Sequence, residues 1–196
     1  MERERKRVAI PSDWNGITIG MYQKFESLKN KGLKESEYNL EVLSIICGLE
    51  KSIVDRMEVK SVKKIFKTLS FLDGKMPDEK KLIKKVDWNG KKYGFIPNLS
   101  EITMGEYIDI EEYCKDAQKS LHKIMSVLYR PIIKETKTRY SIINYETDGE
   151  RQDEFLNFPI IPSISALSFF FRLGKILPNA LDKYLKKARS KKKQLI

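Results

Sequence analysis

Few residues in this chain have the makings of covalent chemistry. They are one histidine, His122, two cysteines, Cys47 and Cys114, and carboxylate clusters at Asp78 and Glu79 and at Asp109, Glu111 and Glu112. Nucleophilic catalysis needs a nucleophile and a base within hydrogen-bond reach. His122 has Ser120 nearby in a helical stretch, but no Gly-x-Ser-x-Gly elbow accompanies it, and it reads as a partly exposed helix histidine. Both cysteines fall in or beside helix-like segments and read as reduced core thiols. A zinc site takes about four ligands, and a single histidine does not complete a usual set. Glu111 and Glu112 are adjacent, so on a helix they point in different directions and read as a solvated face. Gly16 and Gly20 have no lysine partner, and neither a P-loop nor a dinucleotide fingerprint is present. The expectation is a protein that is not an enzyme and carries no catalytic, cofactor or metal site.

The remaining chemistry is that of surfaces. The net charge is +11, and +9 of it sits at the ends: residues 183–193 carry seven bases and no acid, and residues 1–7 carry four bases and two acids. The body between is close to neutral, whereas a groove-reading domain places its basic stripe on the fold. The basic tail is Lys183, Lys186, Lys187, Arg189, Lys191, Lys192 and Lys193. It reads as a solvated helix end, a dock for an acidic protein, or a nonspecific nucleic-acid contact with steep salt dependence. Nucleic acid is the less favoured partner. Phe169, Phe170 and Phe171 are consecutive, so on a helix they fan over more than half a turn and do not all face one core. They read as core, as interface, or as both. Together with Leu173, Leu181, Tyr184 and Leu185 they are the candidate partner-binding residues.

The elements that must position these side chains follow a repeated phrase. Ile17-Thr18-Ile19-Gly20-Met21-Tyr22 returns as Ile102-Thr103-Met104-Gly105-Glu106-Tyr107, each copy preceded by an Ile-Pro pair and followed by an apolar helix-like segment. Thr18 and Thr103 are good N-caps. Helices are expected from Thr18 toward Gly32, over Tyr38 to Cys47 with Gly48 as the stop, and after Ser52, Ser61, Thr103 and Ser120, the last running to about Tyr129 before Pro131. A strand is expected at Arg7 to Ile10. Asn89-Gly90 between Leu82–Trp88 and Lys91–Ile96 predicts a type I′ hairpin. Thr138 to Tyr145 predicts a third strand. Asp153 to Phe158 predicts a short helix, Pro159 and Pro162 a rigid connector, and Ser163 or Ser165 the start of an apolar helix through Leu173. A second echo, Asp13-Trp14-Asn15-Gly16 and Asp87-Trp88-Asn89-Gly90, lies at a different offset and reads as coincidence.

The fold class is therefore mainly α (α+β): a helical domain with two helix-pair pseudo-repeats and a small antiparallel sheet near residues 82–96 and 138–145. The expected organisation is a single domain over 1–182, with pseudo-repeats at about 8–72 and 86–176, and a basic C-terminal helix end or tail at 183–196. No apolar run approaches the roughly 20 residues of a membrane span. The first seven residues lack the apolar stretch of a secretory signal. No membrane association is expected.

Leu121 to Ile132, Ser165 to Gly174, the Ile-Thr-x-Gly-x-Tyr helix entry and the Leu69-Ser70-Phe71-Leu72 helix end resemble small virion-assembly proteins of tailed bacteriophages, nearest to the tail assembly chaperones, over about residues 8 to 177. The resemblance implies a non-enzymatic protein in the cytoplasm of a bacterial host, or in the virion. It implies phage tail or virion partners, tape measure-like or tail-tube-like, that bind apolar helix faces. It also implies that the Lys191-Lys192-Lys193 run is a candidate site of ribosomal slippage. The alternatives are a structural virion component, such as a connector, ring or packaged internal protein, and a basic nucleic-acid-binding module.

Overall fold

The computed structural model describes residues 9–77 and 81–170. The described residues are mostly helical, with one four-stranded antiparallel sheet. The order is α1 (Ile19–Leu28), α2 (Glu35–Cys47), α3 (Lys51–Val54), α4 (Val59–Thr68), β1 (Lys85–Trp88), β2 (Lys91–Phe95), α5 (Met104–Cys114), α6 (Ala117–Leu128), β3 (Tyr129–Glu135), β4 (Tyr140–Ile142), α7 (Gly149–Glu154) and α8 (160–170). The sheet order follows the chain, β1-β2-β3-β4. No helix among the described residues is long and apolar enough to cross a membrane.

The two echo copies build the same local sequence of elements. In each, a short 3-10 turn is opened by a side-chain carboxylate or amide, Asp13 accepting from the Asn15 N–H and Asn98 from the Ser100 N–H. An isoleucine follows, then a threonine whose hydroxyl accepts from the N–H three residues on, and then two helices. The copies are seated differently. Ile17 is buried, and residues 17–19 are clasped to the far end of the chain: the Ile19 N–H donates to the Phe158 carbonyl at 2.9 Å, and the Ile160 N–H to the Ile17 carbonyl at 3.0 Å. In the second copy Met104, Tyr107 and Ile108 are exposed. The Asp-Trp-Asn-Gly echo adopts unrelated conformations, a 3-10 turn at 14–16 and a hairpin turn with Asn89 and Gly90 both at positive φ.

The core joins the sheet to α8 and to the 3-10 turn Phe155–Asn157. Side chains alternate across a strand, so Tyr93 and Phe95 face one way. Trp88, Phe155, Phe158 and Tyr129 pack with them at ring spacings of 5.0–6.4 Å, mostly edge-to-face or tilted, as the ring quadrupole favours. The Tyr129 hydroxyl donates to the Ile83 carbonyl at 2.6 Å, and burial pushes its pKa up. Gly94 points to the opposite face, where Tyr140 lies over it and donates its hydroxyl to the Phe95 carbonyl at 2.7 Å.

Several expected boundaries shift. Residues 9–10 form no strand; Pro11 follows, and no strand among the described residues pairs with them. Ser52 and Ser61 lie inside α3 and α4, whose N-caps are Glu50 and Glu58, and α6 is capped by Asp116 rather than Ser120. β3 is unanticipated: α6 passes into it without a loop, and Pro131, expected to end the helix, sits within the strand opposite Tyr93. The predicted strand at 138–145 is therefore the fourth, and shorter. A helix precedes Phe155 but begins at Gly149, capped by Asp148. The Pro159–Pro162 connector is instead the entry to α8, where Pro162 falls in the first turn and the missing N–H costs nothing.

Candidate functional site

α8 is the element on which the candidate surface turns. Ser163 and Ser165 are buried and lie within its first turns rather than before them, their hydroxyls donating to the carbonyls of Pro159 and Pro162 at 3.0 and 2.7 Å. Ser165 also accepts from the Ile83 N–H at 3.1 Å, fixing α8 against the approach to β1. Ala166 is fully buried. Phe169 and Phe170 follow, both half-buried.

Successive helical residues are about 100° apart, and this separates the two rings. Phe169 lines a cleft of about 670 Å³ between the sheet and the 96–101 loop. Its floor is Phe95, Ile96 and Leu99, and Lys84, Lys85 and Arg139 stand at its rim with Glu101. Phe170 lines a second, smaller groove of about 240 Å³, walled by Ile110 and Cys114 of α5, Ala117, Ile124 and Leu128 of α6, and Leu167 of α8 itself. Both rings also touch Phe95, at 5.8 and 6.0 Å, so each is part core and part wall. The expected fan of the aromatic run is present in these two. Phe171, Leu173, Leu181, Tyr184 and Leu185 lie outside the described residues, as do Lys183, Lys186, Lys187, Arg189, Lys191, Lys192 and Lys193.

The residues weighed for covalent chemistry are dispersed. His122 is buried, not partly exposed: α6 turns its apolar face, with Leu121, Ile124 and Met125, into the core and carries the ring with it. The Gln23 side-chain amide meets His122 Nδ1 at 3.3 Å while donating to the Gln118 and Lys119 carbonyls. Burial lowers the His122 pKa, Lys123 lowers it further, and Asp153 opposes them. Cys47 is a buried thiol as expected, but Cys114 is exposed, at the last turn of α5 on the groove's rim. Desolvation pushes both thiols up. Glu111 and Glu112 are exposed, whereas Asp109 accepts from the hydroxyls of Tyr145 and of Thr147, the latter at 3.0 Å. No group of three or more His, Cys, Asp or Glu among the described residues is placed to hold a metal ion.

One buried ion pair escaped sequence reasoning. Arg130 of β3 donates to Glu106 of α5, and both side chains are almost fully buried. The second Glu106 oxygen accepts from the Thr103 N–H at 2.6 Å, completing a capping box. The Tyr145 ring lies 5.8 Å from the Arg130 guanidinium. Burial lowers the Arg130 pKa and Glu106 pulls it back up. The Thr-x-x-Glu spacing was the available signal. The pair stands behind a further cleft of about 300 Å³ lined by Asn98, Glu101, Thr103 and Tyr145.

Comparison with protein-family models, curated proteins and solved structures finds no match to the chain.

Proposed function

We propose that this protein is a non-enzymatic assembly chaperone of a tailed bacteriophage, binding a helical or tube-forming tail protein through apolar helix faces. The observation that carries the reading is the Phe169 cleft. It has an aromatic and aliphatic floor, a largely basic rim, and a helix-borne ring half-presented at its edge. Such a surface suits an amphipathic helix with an apolar ridge and acidic flanks, by the helix-in-groove mode of recognition. A holdase of this kind needs no covalent step. It needs apolar area for the client and charge for its own solubility, and the chain has 33% charged residues. The Phe169–Leu173 face and the Leu181–Ala188 stripe are the client contacts in this proposal.

The test is affinity capture of the full chain from infected cells, in parallel with Phe169→Asp. Recovery of a long helical or tube-forming virion protein, reduced at least about tenfold by the substitution (roughly 1.4 kcal/mol), supports the reading. Capture of no virion protein counts against it. Mass spectrometry of finished particles separates a chaperone, which is absent, from a structural component, which is present.

A further inference from the structure

The smaller groove has an occupant within the chain itself: we infer that the basic amphipathic segment 181–189 folds back in cis over the groove between α5, α6 and α8. Three observations carry this. The groove is walled almost wholly by apolar side chains, Ile110, Cys114, Leu167 and Phe170 among them. Phe170 is also the last described residue, so the chain leaves the described fold at the groove's own edge. Leu181, Tyr184, Leu185 and Ala188 recur at i, i+3, i+4 and i+7, an apolar stripe about one helix face wide.

Charge and reach agree. α5 carries no base and exposes Glu111 and Glu112, the latter paired with Lys115 just beyond its end, while its Glu106 is already neutralised by Arg130. The segment 183–193 carries seven bases and no acid. The ten residues 171–180 span up to roughly 33–36 Å if extended, and Gly174 and Pro178 within them are suited to reversing the chain. The docking holds whatever the client is. Combined with the assembly reading, it means that the Leu181–Ala188 stripe is sheltered on the protein's own surface until a client takes it.

Cys114 reports on the groove and buried Cys47 on the integrity of the fold. The experiment measures alkylation of each cysteine by iodoacetamide, resolved by mass spectrometry, in the full chain and in the full-length variant Leu181→Asp/Leu185→Asp. Docking predicts that Cys114 reacts at least about tenfold faster in the variant, by loss of local protection, while Cys47 stays slow. Equal Cys114 rates overturn the inference. A second pair of variants does not require weakened packing. Under mild oxidation Leu185→Cys joins Cys114 within one chain, in a yield independent of protein concentration, and Lys187→Cys, on the opposite helical face, lags well behind. Equal yields from the two overturn the cis geometry, and disulfide-linked dimers assign the groove to a second copy instead.

Discussion

Glu106 and Arg130 are paired out of water, and the pair ties the first turn of α5 to the start of β3. Glu106 does two things at once, closing the Thr103 capping box with one oxygen and neutralising the guanidinium with the other. Removing one member of such a pair leaves an uncompensated buried charge. Glu106→Gln and Arg130→Met are each expected to lower stability by about 3–5 kcal/mol. The double variant should lose clearly less than the sum of the two, a coupling read from a double-mutant cycle in urea. Additive losses would show that the two groups act independently.

Tyr140 covers Gly94. A Cβ at residue 94 would fall inside the Tyr140 ring's envelope and 3.0 Å from Ile132 Cγ1, and the ring is pinned by its hydroxyl bond to the Phe95 carbonyl. Gly94→Ala is expected to cost about 1–3 kcal/mol, the usual range for overpacking. On a Tyr140→Ala background the same change should cost clearly less, the Ile132 contact remaining. Urea midpoints of the four proteins decide the matter, and an equal cost on both backgrounds would refute the steric account.

The two glycines of the repeated phrase should respond differently to alanine. At Gly20 an added Cβ would meet the Leu156 carbonyl oxygen at 3.0 Å, whereas at Gly105 nothing lies within 4 Å. Gly105→Ala is expected to stabilise by up to about 1 kcal/mol through helix propensity. Gly20→Ala should be neutral or destabilising. Thermal midpoints suffice to compare them.

His122 gives stability a pH dependence of definite sign. Burial depresses its folded-state pKa, so the unfolded chain takes up the proton first. The contribution is fully present above the ordinary histidine value of about 6.5. It is lost as pH falls below that value, until the folded state protonates as well. Relative to wild type, His122→Gln should show a flatter decline in urea midpoint between about pH 7.5 and 5. Parallel declines would exclude the ring as the source.

The helix starts at Thr18 and Thr103, the Gly48 stop and the Asn89-Gly90 hairpin were legible because each is fixed by one or two neighbouring residues. β3 was not. Leu121 to Arg130 are buried almost without interruption, and Tyr129 ends a helix and begins a strand in the same step, so no change of period marks the boundary. Pro131 then argued against a strand flanked on both sides, although its carbonyl still accepts from the Ile143 N–H. At the candidate surface, the divergence of Phe169 and Phe170 follows from helix geometry alone. The clefts they line are built largely from segments about 30 to 90 positions away, which local pattern does not bring together. Glu106 stands where the first copy has Met21, and its partner Arg130 lies well beyond the phrase that contains it.

The clasp of residues 17–19 to 158–160 also sets an order of events at the ribosome. The first helix pair emerges early, but the strand-like segment that seats it comes some 140 residues later, on the order of ten seconds at ordinary elongation rates. Through that interval the Ile19 N–H and the Ile17 carbonyl lack their native partners. Nascent chains halted before residue 158 should be markedly more open to protease near α1 than those released beyond it.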